Sequence, residues 1–131
     1  MRIRKCVLGA AVALALAPAA AWAVSESDFS AHTTGELVDL CAADPHGPMG
    51  TAALNFCHGF AQGAVSVQME RSAAEKPSYR LFCFPSPSPE RTATLTEFVT
   101  WARADPSRLN ERAADGLFRF LTERFPCGKG K

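Results

Sequence analysis

The sequence lacks the motifs of most catalytic and metal-binding sites. It contains no Gly-x-Ser-x-Gly turn, no phosphate-binding loop and no cluster of paired carboxylates. No pair of the form C-x-x-C or H-x-x-x-H is present, so a zinc site is disfavoured although cysteines and histidines occur. We therefore expect a protein that is not an enzyme and that holds no cofactor or metal.

Two groupings of reactive side chains are present, and neither predicts catalysis. Cys57 and His58 are adjacent, but neighbours on a helix point about 100° apart, so the imidazole is not placed to activate the thiol. Asp39 and Asp44 lie near His46 at a helix end, where such residues commonly serve as caps. We interpret Cys57 as a disulfide cysteine and His58 as part of a polar helix face.

The first 23 residues have the features of a Sec signal peptide. A basic start, MRIRK, precedes an apolar stretch and the small-residue site Ala21-Trp22-Ala23. We therefore expect export to the periplasm, a mature chain of residues 24–131 that forms one domain, and no membrane attachment after the signal is removed. A retained membrane anchor is the less favoured alternative, because the apolar stretch is short.

The mature chain carries no strong charge of either sign. Loss of Arg2, Arg4 and Lys5 changes 14 basic and 13 acidic residues to 11 and 13, a formal net charge of −2. The remaining basic residues are scattered rather than clustered. Nucleic acids and anionic membranes are therefore not expected as partners, because both require a concentrated positive surface.

The longest uncharged stretch, residues 45–69, predicts the central element of the fold. From residue 51 to residue 74, apolar side chains recur at helical spacing on two adjoining stripes and leave only a narrow polar line. A helix with so little polar surface is normally enclosed by other elements. Gly59 and Gly63 lie four residues apart, so we expect a neighbouring backbone to approach the helix there.

Capping and proline signals predict three further helices. Capping boxes beginning at Thr33 and Thr94 indicate the starts of a first and a third helix, and Asp105-Pro106 is a typical start for a fourth. The connector before the third helix is apolar enough to lie across the other helices. We expect an all-α fold, a small disulfide-stapled bundle of about four helices preceded by a loose arm at residues 24–32.

The four cysteines of the mature chain point to two disulfides. An even count in an exported domain of this size is typical of a disulfide framework, which forms outside the cytoplasm. Four cysteines allow three pairings, and antiparallel helices on either side of the two main turns favour Cys41 with Cys57 and Cys83 with Cys127. A bridge from the second helix to the C-terminus is the alternative.

Three features are candidates for contact with a partner: the polar line of the second helix, the proline-rich connector (residues 84–92) and a tryptophan on the third helix. Uncharged groups are desolvated more cheaply than charges, a stiff connector loses little entropy on binding, and tryptophan is enriched in binding hot spots. The alternatives are a thin solvated face, a braced turn and core packing. The residues are Asn55, His58, Gln62, Ser66, Pro85, Pro87, Pro89 and Trp101.

A set of motifs in a fixed order suggests a family. The segments are TTGELVDLC, NFCHGFAQGAV, FCFPSP, LTEFVTWARADPSRL and ERFPC, and together they resemble the Rap/Tai family of type VI secretion immunity proteins over residues 34–127. The resemblance implies a helical periplasmic protein that binds a peptidoglycan amidase effector and blocks its active site. Characterised members are dimers, so it also implies a homodimer. Two alternatives stay open, an envelope protein of the same fold without a toxin partner and an acid-stress periplasmic chaperone.

Overall fold

A computed structural model describes residues 23–128. The expected signal peptide lies, apart from its last residue, outside this range and stays a prediction. The described chain forms α1 (Thr34–Cys41), α2 (Gly50–Ala74), α3 (Arg91–Arg103) and α4 (Ala113–Arg124). A 3₁₀ helix at Glu26–Ser30 precedes α1, and two others lie between the later helices at Pro77–Tyr79 and Pro106–Asn110. Within residues 23–128 there is no β-strand, only an isolated antiparallel bridge between Thr33 and Arg112. The predicted all-α fold is confirmed.

The shortest helix, α1, is the centre of the fold. It contacts the other three α-helices and two of the 3₁₀ helices. Leu37, Val38 and Leu40 lie on different sides of this helix, and all three are buried. The predicted capping box begins it, since the Thr33 hydroxyl accepts a hydrogen bond from the backbone N–H of Glu36 and the Glu36 carboxylate accepts one from the N–H of Thr33.

The prediction that α2 is the enclosed central element is wrong. Only one face of it is deeply buried, and its remaining apolar side chains are half-buried or exposed. The buried residues are Gly50, Ala53, Cys57, Ala61 and Ser72. No backbone of the described chain approaches Gly59 or Gly63, because a β-carbon there would meet nothing within 4 Å. Helix α2 is not enclosed because it is much longer than its neighbour α1. The 25 residues of α2 span about 37 Å, whereas the 8 residues of α1 span about 12 Å and cannot cover it.

The third helix begins one turn earlier than predicted. Glu90 is its N-cap, and the carboxylate accepts hydrogen bonds from the backbone N–H groups of Thr92 and Ala93. Thr94 lies inside the helix, where its hydroxyl donates to the carbonyl of Glu90, so the expected capping box at Thr94 is wrong. An acidic side chain one turn upstream satisfies the free N–H groups equally well and allows a longer helix.

The fourth helix begins later than predicted. Asp105 caps only the 3₁₀ helix Pro106–Asn110, and α4 starts at Ala113. Between them the chain turns to extended geometry because tertiary hydrogen bonds hold it there. The N–H of Thr34 donates to the carbonyl of Glu111, and the N–H of Ala113 donates to the carbonyl of His32. These two bonds join the start of α1 to the start of α4.

The predicted loose arm at residues 24–32 is instead folded onto the domain. It forms the 3₁₀ helix Glu26–Ser30, and Ala31 is buried. The Phe29 ring packs edge-on against Phe56 of α2, with 5.6 Å between ring centroids. The sequence of the arm is polar on average, but one aromatic side chain is enough to anchor a short segment.

The connector between α2 and α3 lies across the helices, as expected. Phe82 is only 1% exposed, and Phe84 packs against both Phe82 and Phe125 with 5.1 Å between centroids in each case. In the same segment, Tyr79 and Leu81 stay 54% and 43% exposed. The apolar character of this connector therefore reflects one buried and one half-buried ring rather than burial of the whole segment.

Two disulfides staple the bundle with the connectivity that the sequence favours. Cys41–Cys57 joins α1 to α2, with 5.1 Å between Cα atoms. Cys83–Cys127 joins the connector to the segment after α4, with 4.8 Å between Cα atoms. In the chain-entropy picture, loops of 16 and 44 residues contribute about 3 and about 4 kcal/mol to stability. Both contributions are large for a domain of this size.

Candidate partner-binding cleft

A cleft of about 430 Å³ opens between α2, the connector and the α3–α4 pair. The middle of α2 forms one side of it, and Phe84 and Pro89 of the connector form another. Leucine and phenylalanine side chains of α3 and α4 form its floor. The apolar lining is Ala61, Val65, Phe84, Pro89, Leu95, Leu117, Phe120 and Leu121.

The cleft brings together two of the three features that the sequence analysis selected. Gln62 and Ser66, one turn apart on α2, lie at its edge, and Pro89 of the connector also lines it. Both polar side chains are exposed. The remaining members of the polar line, Asn55 and His58, lie nearer the start of α2 and are not part of the lining.

His58 nevertheless faces the same side of the molecule. It lies near the Glu90 carboxylate at the start of α3, close enough for an electrostatic interaction. The pKa of Glu90 is lowered chiefly by the hydrogen bonds from the N–H groups of Ala93 and Thr92, with His58 as a smaller cause. The polar line of α2 and the end of the connector are therefore neighbouring surfaces.

Two of the three predicted connector prolines lie beside the cleft rather than in it. Pro85 and Pro87 are exposed, and the connector between Phe84 and Pro89 is exposed throughout. Phe84 anchors one end of this stretch in the aromatic cluster. The other end leads into α3 through Glu90. The result is a short exposed segment held at both ends, which favours binding because little flexibility is lost.

Sequence analysis did not single out three polar residues of the cleft. Arg91 and Thr94 of α3 and Ser88 of the connector line it, and Arg91 is exposed. Within residues 23–128, no carboxylate lies within ion-pair distance of the Arg91 guanidinium. The sequence analysis placed Arg91 in the connector (residues 84–92), where only the prolines were selected. An N-cap at Glu90 would have put it on the first turn.

Trp101 lies away from the cleft, between α3 and α4. Its indole N–H donates to the Glu123 carboxylate at 2.8 Å, and this bond is the main cause of the lowered pKa of Glu123. The ring stacks on Phe98, and the Arg108 guanidinium lies 4.2 Å from the ring centroid on the indole face. These contacts give Trp101 a structural role, and its role in partner binding stays a prediction.

The described residues contain neither a metal-binding cluster nor a membrane helix. Within residues 23–128, no group of three or more His, Cys, Asp or Glu side chains could hold a metal ion. In the same part of the chain, no helix combines the length and apolarity needed to cross a bilayer.

Comparison with known proteins identifies one family. The family model described as Rap1a immunity proteins matches residues 33–127, which include all four α-helices and both disulfides. Searches of curated proteins and of solved structures found no match.

Proposed function

The chain belongs to the family of Rap1a immunity proteins, and on this basis we propose that it binds a cell-wall amidase effector of type VI secretion and inhibits it stoichiometrically. Such a protein protects the cell that makes it and performs no catalysis of its own. The effector acts on peptidoglycan, so the proposal places the protein in the periplasm, exported by the signal peptide of residues 1–23. The domain of residues 24–131 then carries the whole function.

The cleft is the observation that supports binding at a defined surface. Gln62 and Ser66 of α2 lie there beside Pro89, and the exposed part of the connector borders it. This surface combines apolar walls with uncharged polar groups, which are removed from water at low cost. Occlusion of an enzyme requires a rigid surface of this kind, and both ends of the connector are anchored.

A second copy of the chain is the other partner that we propose. The outer face of α2 is apolar, with Val67 59% exposed and Phe56 and Phe60 half-buried. Gly59 and Gly63 lie open on the same side, so the helix of a second copy could approach closely. Phe56, Phe60 and Val67 do not line the cleft, so a homodimer formed through these side chains would leave the cleft lining uncovered.

Capture of the effector tests the proposed function. The protein purified from cells that express the whole 131-residue chain serves as bait for periplasmic and secreted fractions of its source and near relatives. The proposal predicts recovery of one peptidoglycan amidase, identified by mass spectrometry. Recovery of no hydrolase would favour an envelope protein without a toxin partner. Recovery of many unrelated proteins at acid pH, protected from aggregation, would favour a chaperone.

A further inference from the structure

The chemistry of the cleft limits the surface that can occupy it. We propose that the cleft receives an apolar side chain of the effector while a carboxylate on the same effector segment pairs with Arg91. This inference rests on the proposed function, since it specifies the chemistry of the partner at the same site.

The floor of the cleft requires an apolar occupant. Leu117 and Phe120 of α4 and Leu95 of α3 form it, and Val65 and Phe84 stand at its sides. Covering such a surface with an apolar group releases water and favours association. A volume of about 430 Å³ lies in the lower part of the range of small-ligand pockets. It has room for one or two side chains and not for a helix.

The rim supplies a positive charge that nothing in the described chain neutralises by pairing. Arg91 is exposed at the edge and has no ion-pair partner within residues 23–128. The adjacent carboxylate of Glu90 points to the start of α3, where it accepts hydrogen bonds from Thr92 and Ala93 at 2.9 and 2.6 Å. A carboxylate of the partner therefore finds an available guanidinium, which can bind it through two parallel hydrogen bonds.

The remaining polar groups of the rim are uncharged. Gln62, Ser66 and Ser88 take part in no side-chain hydrogen bond within the described part of the chain, so their donors and acceptors are available to a peptide backbone. Among residues 23–128, no carboxylate lines the cleft. An acidic segment of the partner therefore meets no repulsion from the lining, whereas a basic segment would face Arg91.

Binding of capped dipeptides tests this chemistry without the effector. The ¹⁵N-labelled protein, purified after expression of the whole chain with its disulfides formed, is titrated with acetyl-Phe-Asp-amide and acetyl-Phe-Asn-amide and followed by NMR. We expect the largest amide shifts at Val65, Thr94 and Leu117. We also expect affinity for the aspartate peptide to be about threefold higher, the ratio typical of an exposed ion pair. Equal affinities, shifts located elsewhere or absence of binding would overturn the proposal.

Two pairs of variants separate the charge from the apolar recess. Arg91→Gln should abolish the preference for aspartate, whereas Arg112→Gln, at an exposed arginine that pairs with Asp115, should keep it. Ser66→Trp should block the recess and abolish binding of both peptides, whereas Ala52→Trp, on an exposed part of α2 outside the lining, should not. A preference that survives Arg91→Gln would overturn the assignment of Arg91.

Binding of the same variants to the captured amidase distinguishes failure of this inference from failure of the proposed function. Arg91→Gln should weaken the complex about threefold at low salt, and Ser66→Trp should weaken it more. An amidase that binds both variants as tightly as the parent would overturn the inference and leave the proposed function standing. If no amidase is captured at all, the proposed function fails.

Discussion

Gly116 of α4 packs directly against Thr34 of α1. A β-carbon built at residue 116 would lie 2.1 Å from the Thr34 hydroxyl oxygen and 2.9 Å from its methyl carbon. The Thr34 hydroxyl is itself fixed, since it donates to the carbonyl of Arg112 at 3.2 Å, and the Thr34 side chain is fully buried. The central helix and the last helix are therefore in contact with no spare volume between them.

Gly116→Ala should destabilise the protein by about 3 kcal/mol, the upper part of the range for overpacking, because neither Thr34 nor the helix backbone can move away. The measurement is the free energy of unfolding in urea. Gly63→Ala, measured at a protein concentration at which the chain is monomeric, is the matched control. A β-carbon there meets nothing within 4 Å, so the gain in helix propensity should stabilise the protein by about 1 kcal/mol. Similar effects of the two substitutions would contradict the packing described.

Stability should fall as the solution becomes acidic. Arg124 lowers the pKa of Glu97 by hydrogen bonding to it, and Trp101 lowers the pKa of Glu123 in the same way. A carboxylate with a lowered folded pKa stabilises the fold above its unfolded pKa of about 4.3, and this contribution is lost as pH falls through the folded pKa. Burial raises the pKa of Asp39, which gives an opposite and offsetting contribution. Urea midpoints measured from pH 7 to pH 3 should stay constant and then decline below about pH 4.5.

Variants at either end of one ion pair isolate its part in the acid response. Arg124 donates to Glu97 at 2.6 Å and thereby links α4 to α3. Both Glu97→Gln and Arg124→Gln should lower the urea midpoint at pH 7 and should make its decline in acid shallower. The first removes the carboxylate, and the second removes the partner that lowers its pKa. If both variants decline as steeply as the parent, this pair has no part in the acid response.

Replacement of residues 85–88 by Gly-Ser-Gly-Ser should weaken binding of the amidase without unfolding the protein. Phe84 and Glu90 stay in place, so the aromatic anchor and the cap of α3 are kept. The flexible segment must then be ordered on binding, at a cost of about 1 kcal/mol or more per residue, which predicts a loss of at least tenfold in affinity. Calorimetric titration measures it, with thermal unfolding as the control for folding. Unchanged affinity would remove this segment from the binding surface.

The proposed homodimer should depend on the open side of α2. Gly63→Trp places a large side chain where a second helix would approach, but leaves the monomer intact because the position is exposed. Sedimentation velocity should show a dimer for the parent and a monomer for the variant. Gln62→Trp, one residue away at the cleft edge, should stay dimeric. A monomeric parent would contradict the proposed dimer.

Local signals in the sequence predicted much of the fold correctly. The capping box at Thr33 begins α1 as expected, because its two hydrogen bonds are made within four residues. The two main turns were likewise sufficient to favour the observed pairing of Cys41 with Cys57 and of Cys83 with Cys127. In each case the structure depends on a few neighbouring residues or on two helices that meet at one turn, and both can be read from a short stretch of sequence.

Long-range contacts limited the rest of the prediction. Helix α2 has the composition of an enclosed helix. Its enclosure depends on the lengths of the neighbouring helices, and these lengths cannot be read from the sequence of α2 itself. Helix α4 starts at Ala113 rather than directly after Asp105. Hydrogen bonds to the N–H of Thr34 and the carbonyl of His32, about 80 residues away, hold the chain extended before it. For the same reason the sequence indicated α2 and the connector as contact surfaces, but not the cleft that they form together with α3 and α4.

The most direct test of the account is a titration of the captured amidase with the purified protein, with hydrolysis of peptidoglycan as the measurement. Occlusion of the active site predicts that activity falls linearly and reaches zero at an equimolar ratio, and that intact protein is recovered from the complex. An amidase that retains its activity in a saturated complex would contradict the central claim.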